Sequence, residues 1–373
     1  MDSQPVDSQP AVGPSDRSSV IGRRLIVTGG AGFIGSTFVR RRLAATADHI
    51  TVVDKLTYAG NPANLAGLDD DAATRRRYRF VQADIADATT MGELAAEADA
   101  IVNFAAESHV DRSILEPAAF LHTGVLGVHA LLEATRAAQE ARGPAEPPFR
   151  FLQVSTDEVY GPVPVGRSVE DDPIRPTSPY SAAKAAGEHL VRAYRETHGL
   201  DTVITRGANT YGPHQYPEKL IPLFITNALD DEPLPMYGDG MQRRDWLFVA
   251  DHADAVGVAL DRGESGGVYN FPGDGVERPN REVTEGILAA LGKPWSLVRS
   301  VPDRPGHDRR YALDGSRLAS LGWRAAVPFD EGLPQTVRWY AEHRAWWEPI
   351  KSGQWADYYR AQYAWRLERS VEA

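Results

Sequence analysis

The chain has 373 residues, 42% of them hydrophobic and 24% charged, which is the balance of a globular protein with one large domain or two ordinary ones. Its formal net charge of -11 argues against nucleic acid as a partner, because binding to a phosphate backbone relies on clustered Lys and Arg. The absence of cysteine excludes disulfides, thiolate nucleophiles and Cys-ligated metals, and it favours a cytoplasmic location. No apolar run approaches the roughly 20 residues that span a bilayer. We therefore expect no nucleic-acid, membrane or metal partner.

From Arg23 onward, short apolar runs alternate with helical stretches such as Phe33 to Leu43 and Ala118 to Ala141. Residues 1–22 differ: they are rich in Ser and Pro, repeat Asp-Ser-Gln-Pro and lack the apolar stretch of a signal peptide, which predicts a disordered tail. The apolar runs have the composition of strands buried on both faces of a parallel sheet. They are "RRLIVTGG", "HITVVDK", "YRFVQAD", "AIVNFAA" and "FRFLQVST". The alternation predicts an α/β fold with a Rossmann-like, doubly wound parallel sheet.

A glycine-rich turn, "VTGGAGFIGS", follows the first strand and opens a helix. Gly30, Gly32 and Gly35 fit the G-x-G-x-x-G spacing, and Gly29 adds conformational freedom ahead of the turn. Such glycines let the backbone approach a pyrophosphate, which the N-terminus of the helix stabilises. The alternative is a glycine-rich turn without a ligand.

Acidic residues end the next two strands. Asp54 lies 19 residues after Gly35, close to the spacing of a carboxylate that binds an adenosine ribose. An acid there favours NAD over NADP, because it would repel a 2′-phosphate. Asp84, in "VQADI", is placed either to meet the adenine or to cap the following helix. Together with the glycines, these acids predict dinucleotide binding.

Two adjacent carboxylates, Asp157 and Glu158, follow the apolar run "FRFLQV", where charge costs free energy unless it is paired or used. Further on, "YSAAK" places Tyr180 and Lys184 four residues apart, on one face of a helix. The lysine ammonium would lower the pKa of the phenol from its ordinary value of about 10. Tyr180 could then accept a hydroxyl proton while NAD accepts a hydride. The alternatives are a solvated helix face and a pair of acids that cap a loop.

These motifs resemble the extended short-chain dehydrogenase/reductases and, within them, the dTDP-glucose 4,6-dehydratases. The resemblance runs from about Arg23 to the C-terminus and rests on "TGGAGFIGS", "VVDKLTYAGN", "NFAAESHVDRSI", "STDEVYG", "SPYSAAKAAGEHL", "YGPHQYPEKLIPLFI", "YGDGMQRRDWLFVADH" and "DRPGHDRRYALD". It implies a lyase of deoxysugar biosynthesis that oxidises C4 of dTDP-glucose, expels water across C5 and C6, and returns the hydride to C6. The product is dTDP-4-keto-6-deoxyglucose, and NAD is regenerated. The resemblance also implies a homodimer with a four-helix interface.

The resemblance further implies a set of site residues. Glu158 would remove the C5 proton, Asp157 would protonate the departing C6 hydroxyl, and Thr156 would hydrogen-bond the C4 oxygen. The catalytic set is Thr156, Asp157, Glu158, Tyr180 and Lys184. Contact with NAD is expected for Gly29, Gly30, Gly32, Phe33, Ile34, Gly35, Asp54, Lys55, Leu56, Thr57, Asp84, Ile85, Ala105, Ala106, Thr123, Tyr180, Lys184 and Thr210. The nucleotide sugar is expected to bind Ser108, Thr156, Asn209, Lys219, Leu220, Pro235, Tyr237, Arg244, Asn280, Arg304 and His307.

Arg244 and Arg304 are also sensible on physical grounds, because a diphosphate in an acidic protein needs cationic forks. For Asn280 and His307, ordinary loop polarity explains the residues nearly as well. The domain division follows from the same pattern. We assign 23–210 to an NAD-binding Rossmann domain, with a later strand near 267–271, and 211–373 mainly to nucleotide-sugar binding.

One segment departs from the family pattern, and several alternatives stay open. "RGANTYG" stands where the family often has Cys-Ser-Asn-Asn after the Arg, so Gly207, Ala208 and Thr210 alter the wall near the nicotinamide. A 4-epimerase would not need the Asp-Glu pair. GDP-mannose dehydratases and UDP-glucuronate decarboxylases typically carry Ser where Asp157 stands. A 4,6-dehydratase acting on UDP-glucose or another nucleotide hexose keeps the pair, and a non-catalytic NAD-binding regulatory protein is the remaining alternative.

Overall fold

The computed structural model describes residues 22–372. Residues 1–21 of the predicted tail lie outside this range. The strands are β1 (Arg24–Thr28), β2 (His49–Asp54), β3 (Tyr78–Gln82), β4 (Ala100–Asn103), β5 (Arg150–Thr156), β6 (Asp201–Gly207), β7 (Asn209–Tyr211), β8 (Leu234–Tyr237), β9 (Arg243–Phe248), β10 (Val268–Phe271), β11 (Glu277–Pro279), β12 (Val298–Val301) and β13 (Val371–Glu372). The helices are α1 (Phe33–Ala45), α2 (Ala72–Arg75), α3 (Ala88–Ala96), α4 (Val110–Leu115), α5 (Pro117–Leu121), α6 (Val128–Glu140), α7 (Pro179–His198), α8 (Leu220–Leu229), α9 (Val249–Arg262), α10 (Asn280–Leu291), α11 (Ser316–Ser320), α12 (Phe329–Glu342), α13 (Arg344–Ser352) and α14 (Gln354–Glu368).

A parallel sheet in the order β10-β6-β5-β4-β1-β2-β3 forms the centre of the molecule. Every residue of β4 is buried, and so is every residue of β1 after the first, which explains why these strands read as apolar runs without alternation. The strand order reverses between β1 and β4, and such a switch point opens a ligand crevice at the carboxyl ends of the strands. The predicted Rossmann-like α/β fold is therefore confirmed.

The stretch Ala118 to Ala141, expected as one helix, is interrupted. Between α5 and α6 the chain forms a wider π-helical turn over His122–Gly127, a feature that often marks a functional site. Glycines let this turn lie close to α7. A Cβ on Gly187 would come 2.8 Å from the carbonyl oxygen of Gly124, so the two backbones touch. The π-turn carries Thr123 at the edge of the crevice.

A fully buried ion pair joins α7 to the centre of the sheet. Both Arg206 of β6 and Glu188 of α7 are 0% exposed, and two guanidinium nitrogens of Arg206 donate to the carboxylate at 2.6 and 3.1 Å. A third nitrogen of Arg206 donates to the Tyr160 hydroxyl at 2.6 Å. A buried pair survives only with such complete hydrogen bonding. The pair thus fixes α7, the helix of Tyr180 and Lys184, against β5 and β6.

Beyond Tyr211 a second apolar cluster, built on α8, α10 and α12, packs beside the sheet and includes aromatic residues as far along the chain as Tyr363. Two three-stranded sheets, β11-β9-β7 and β13-β12-β8, belong to this part. It closes over the carboxyl ends of the central strands and supplies the other wall of the crevice. Among residues 22–372, no helix is both long and apolar enough to cross a membrane.

Candidate active site

The glycine turn after β1 brings bare backbone to the crevice. Gly29 has φ +64°, a left-handed conformation that favours glycine, and a Cβ there would lie 2.6 Å from the amide nitrogen of Ala105. A Cβ on Gly35 would lie 2.3 Å from the carbonyl oxygen of Gly29. The turn therefore requires glycine at position 29, which the sequence reasoning treated only as an extra flexible residue. Helix α1 starts at Phe33 without a side-chain cap in the described part of the chain, so its first N–H groups are available to an anion.

The two strand-end acids differ in their surroundings. Asp54 is buried and accepts hydrogen bonds from the amides of Ala31 at 3.0 Å and Leu56 at 2.8 Å, and burial raises its pKa. Asp84 accepts a hydrogen bond from Lys55 Nζ at 2.6 Å. The helix-cap alternative for Asp84 is wrong, because Asp87 caps α3 through the amides of its first turn. Asp84 thus lines the crevice.

Tyr180 and Lys184 lie in the first two turns of α7, which begins with a capping box between Ser178 and Ser181. Lys184 Nζ donates to the carbonyl oxygen of Val154 at 3.0 Å, and burial lowers its pKa to about 8. Burial, with the charge of Glu158, raises the pKa of Tyr180 well above its ordinary value. The expected lowering by the lysine ammonium is therefore wrong for the protein by itself, because burial dominates the pKa of Tyr180 and the ammonium is bound to the Val154 carbonyl. Lys184 is placed instead to hold the end of β5.

Asp157 and Glu158 form a tight 3₁₀ turn at the end of β5. The Thr156 hydroxyl donates to Asp157 Oδ1 at 3.1 Å and accepts from the Glu158 amide at 3.3 Å. Burial and the adjacent Glu158 carboxylate raise the pKa of Asp157 to about 7. Burial also raises the pKa of Glu158, but three cations counteract that rise. The two neighbours are therefore held differently: a neighbouring carboxylate adds to burial at Asp157, whereas three cations counteract burial at Glu158.

The three cations beside Glu158 all come from the chain beyond Tyr211. They are Arg304 after β12, Lys219 at the start of α8, and Arg244 of β9. The Arg244 guanidinium lies 4.4 Å above the Tyr311 ring and donates to the Asp308 carbonyl oxygen at 2.9 Å. These groups match a sugar diphosphate, which needs fixed positive charge.

A buried carboxylate that the sequence reasoning did not single out positions Arg304. Asp111 is 3% exposed and accepts from Arg304 at 2.8 Å, from Tyr237 at 2.7 Å and from Gln362 at 2.8 Å. The pKa of Asp111 lies well below its ordinary value. Burial raises this pKa, but the charges of His109 and Arg304 lower it by more. Asp111 lies within the quoted motif "NFAAESHVDRSI", yet only the fold brings it to Arg304 and to the C-terminal helix α14.

The predicted site residues gather along one crevice with two adjoining cavities. The walls of the cofactor-side cavity include most residues predicted to contact NAD: Gly29, Gly32, Phe33, Ile34, Gly35, Asp54, Lys55, Thr57, Asp84, Ile85, Ala105, Ala106, Thr123, Tyr180 and Lys184. The other cavity includes all residues predicted to hold the sugar: Ser108, Thr156, Asn209, Lys219, Leu220, Pro235, Tyr237, Arg244, Asn280, Arg304 and His307. Asp157 and Glu158 also line the second cavity.

Three predicted cofactor contacts lie elsewhere. Gly30 and Leu56 pack behind the turn, Gly30 against Val52 and Leu56 against the apolar core. The Thr210 side chain lines the sugar-side cavity, where its hydroxyl meets His252 Nδ1 at 2.7 Å. Sequence reasoning missed His252, although it ends the quoted motif "YGDGMQRRDWLFVADH". The residues fit a dinucleotide: bare backbone, an uncapped helix start, a strand-end carboxylate, and a buried Ser155 hydroxyl with no partner among residues 22–372.

The comparisons with known proteins agree with this geometry. The family model for GDP-mannose 4,6 dehydratase matches residues 26–336. A dTDP-glucose 4,6-dehydratase from Streptomyces niveus is 51% identical over 88% of this chain and 96% of its own length. The chain belongs to the dTDP-glucose 4,6-dehydratase family. A solved family member from Streptomyces venezuelae, with NAD bound, is 50% identical with a TM-score of 0.83, covering 88% of this chain and all of that one.

The family's fold extends to sugar epimerases. A UDP-glucose 4-epimerase from Thermus thermophilus, solved with NAD, is 33% identical with a TM-score of 0.76, covering 86% of this chain and 99% of that one. The sequence identity of this chain to the two 4,6-dehydratases is thus higher than its identity to this epimerase. The buried acid pair, Asp157 and Glu158, is the chemical feature that a dehydratase needs and an epimerase does not.

Proposed function

We propose that this chain is a lyase that converts dTDP-glucose to dTDP-4-keto-6-deoxyglucose with NAD as a regenerated cofactor. The observation that carries the proposal is the pair Asp157 and Glu158, buried beside the same cavity but electrostatically different. Dehydration across C5 and C6 needs an acid for the leaving hydroxyl and a base for the C5 proton. Relatives that share half of their sequence with this chain bear the name of this activity.

The surroundings of the two acids support a different role for each. Asp157, with a pKa raised to about 7, carries a proton to donate to the C6 hydroxyl near neutral pH. Burial raises the pKa of Glu158, but Arg304, Lys219 and Arg244 favour its carboxylate form, which suits it to accept the C5 proton. The sequence reasoning took this division from the family, and the charges around each group support it independently.

The C4 end uses Tyr180, Thr156 and Lys184. Thr156 hydrogen-bonds the C4 oxygen, and Tyr180 accepts the proton of the C4 hydroxyl. NAD supplies the hydride acceptor for C4, the hydride donor for C6, and in its oxidised form a positive charge that favours a phenolate. Lys184 holds the carbonyl end of β5 and so keeps Thr156 in register with Tyr180.

Separating the half-reactions tests this proposal. Glu158→Gln removes the base but leaves the C4 groups, so dehydration should fall by about 10²–10⁴, while reduced nicotinamide accumulates as near-ultraviolet absorbance. Tyr180→Phe should abolish both that absorbance and turnover. Mass spectrometry of products from dTDP-, UDP- and GDP-glucose should show loss of one water with the dTDP sugar. Recovery of a 4-epimer of unchanged mass, or near-normal turnover by Glu158→Gln, would contradict the proposal.

We also propose a homodimer. Four large apolar side chains are exposed within a short stretch of α4, α5 and the π-turn, beside α7: Ile114 at 41%, Leu115 at 60%, Leu121 at 53% and Leu126 at 58%. Clustered exposed apolar residues mark interaction sites, and a second copy of the chain is the commonest partner. The four-helix interface, the division at about residue 210 and the cytoplasmic location stay predictions.

A further inference from the structure

A buried histidine at the junction of the two cavities is unused by the chemistry proposed so far. His252, in the first turn of α9, is 3% exposed and lines both cavities, as do Ser155 and Tyr180. Its Nε2 has no hydrogen-bond partner among residues 22–372. Burying a polar atom without a partner costs free energy, so such an atom in a crevice points to a ligand group that completes it.

Thr210 selects the tautomer of this ring. The Thr210 hydroxyl lies 2.7 Å from His252 Nδ1 and 3.0 Å from the carbonyl oxygen of Ala208. A hydroxyl has one proton, and the carbonyl can only accept. Both contacts are therefore hydrogen bonds only if Thr210 donates to Ala208 and accepts from Nδ1–H. In that arrangement Nε2 carries a lone pair to which no residue of the described range donates. Burial lowers the pKa of His252 to about 3, so the ring stays neutral.

Gly207, where the sequence departs from the family pattern, leaves room for the His252 ring. The His252 ring packs edge-on against Phe271, with the ring centroids 4.8 Å apart. A Cβ on Gly207 would lie 2.3 Å from Phe271 Cε2 and 3.0 Å from His252 Cε1. A larger residue here, such as the Cys common in the family, would displace one or both rings. Gly207, Phe271, His252 and Thr210 therefore act as one packed unit.

We propose that His252 Nε2 accepts a hydrogen bond from the carboxamide N–H of the nicotinamide. This inference rests on NAD binding, which belongs to the proposed function. The nicotinamide ring must lie where the cavities meet, because hydride passes between it and the sugar. The carboxamide is the polar substituent of that ring, and its N–H donors match a lone pair. Arg244, Arg304 and Asn280 line the sugar-side cavity without lining the other, whereas His252 lines both.

The experiment compares ligands that differ at the nicotinamide end. Full-length chain freed of bound nucleotide is titrated by calorimetry with NAD, with ADP-ribose, which lacks nicotinamide, and with dTDP. His252→Leu should weaken NAD binding by about 3- to 10-fold, the value of one net hydrogen bond, and leave ADP-ribose and dTDP within about 2-fold. His252→Gln, whose amide oxygen can accept, should recover part of the loss.

Two further variants keep the test decisive. Thr210→Val is nearly isosteric but no longer selects the tautomer, so it should also weaken NAD selectively; it decides the matter if His252→Leu fails to fold. His49→Leu, at an exposed position at the opposite end of the sheet, is the control and should change none of the affinities. An unchanged ratio of NAD to ADP-ribose affinity in both site variants overturns this inference alone. A wild-type chain that does not bind NAD overturns the proposed function as well.

Discussion

Replacing Asp157 by Asn should make the protein more stable, increasingly so as the pH rises. The acid has an ordinary pKa of 3.8 and a pKa of about 7 in the folded protein, because burial and Glu158 disfavour its charge. Between these values the folded state holds a proton that the unfolded state has lost, so stability falls as the pH rises. Each tenfold change in proton affinity is worth about 1.4 kcal/mol, so the total loss above pH 7 is about 4 kcal/mol. Asn cannot ionise and still accepts from Thr156.

Urea unfolding of wild type and Asp157→Asn at pH 5, 6, 7 and 8 measures this difference. We expect the advantage of the variant in free energy of unfolding to grow by about 1.4 kcal/mol per pH unit and to level off near pH 7. Asp70→Asn removes an exposed acid and is the matched control. A stability difference that does not change with pH would refute the raised pKa of Asp157 and, with it, its assignment as the proton donor. Dehydration by Asp157→Asn should fall by about 10²–10⁴ at every pH.

Three further predictions concern the supports of the site. Arg206→Met leaves Glu188 charged and buried, so it should lower the free energy of unfolding by about 3–5 kcal/mol, measured by urea denaturation, and a loss below 1 kcal/mol would contradict the buried pair. Asp111→Asn removes the charge that holds Arg304, so steady-state kinetics should show KM for the nucleotide sugar rising about 10- to 100-fold with a smaller change in kcat; an unchanged KM would exclude the positioning role. Leu126→Glu charges the exposed apolar face, so light scattering should give a dimer for wild type and a monomer for the variant, and a monomeric wild type would refute the assembly.

The fold was predictable because its signals are local. β4 is buried over its whole length and β1 after its first residue, so their sequences are apolar without alternation. The glycine turn and Asp54 could be located by spacing alone, since both follow directly from where parallel strands end. The interruption between α5 and α6 was not predictable in this way. It depends on contact of Gly124 with Gly187 in another helix, which the periodicity of either helix does not encode.

The site was predictable only where its residues lie within one motif. Tyr180 and Lys184 share a helix face because they are four residues apart, but the carbonyl of Val154 that binds Lys184 belongs to another element. For the same reason the effect of Lys184 on the pKa of Tyr180 was misjudged: desolvation depends on everything packed around the phenol. Asp111 and His252 escaped notice because their partners, Arg304 and Thr210, are distant in the chain.

The division of labour between Asp157 and Glu158 is likewise a property of the tertiary structure. The two acids are adjacent in sequence and share one turn, so local propensity cannot make one an acid and the other a base. Arg304, Lys219 and Arg244 all reach the turn from the part of the chain beyond Tyr211. Their charge favours ionisation of Glu158 against its burial, whereas at Asp157 burial and the neighbouring carboxylate outweigh Arg244 and the Thr156 hydrogen bond. The chemistry of the pair is therefore assembled only when the C-terminal part closes over the end of β5, which couples folding of that part directly to acid–base catalysis.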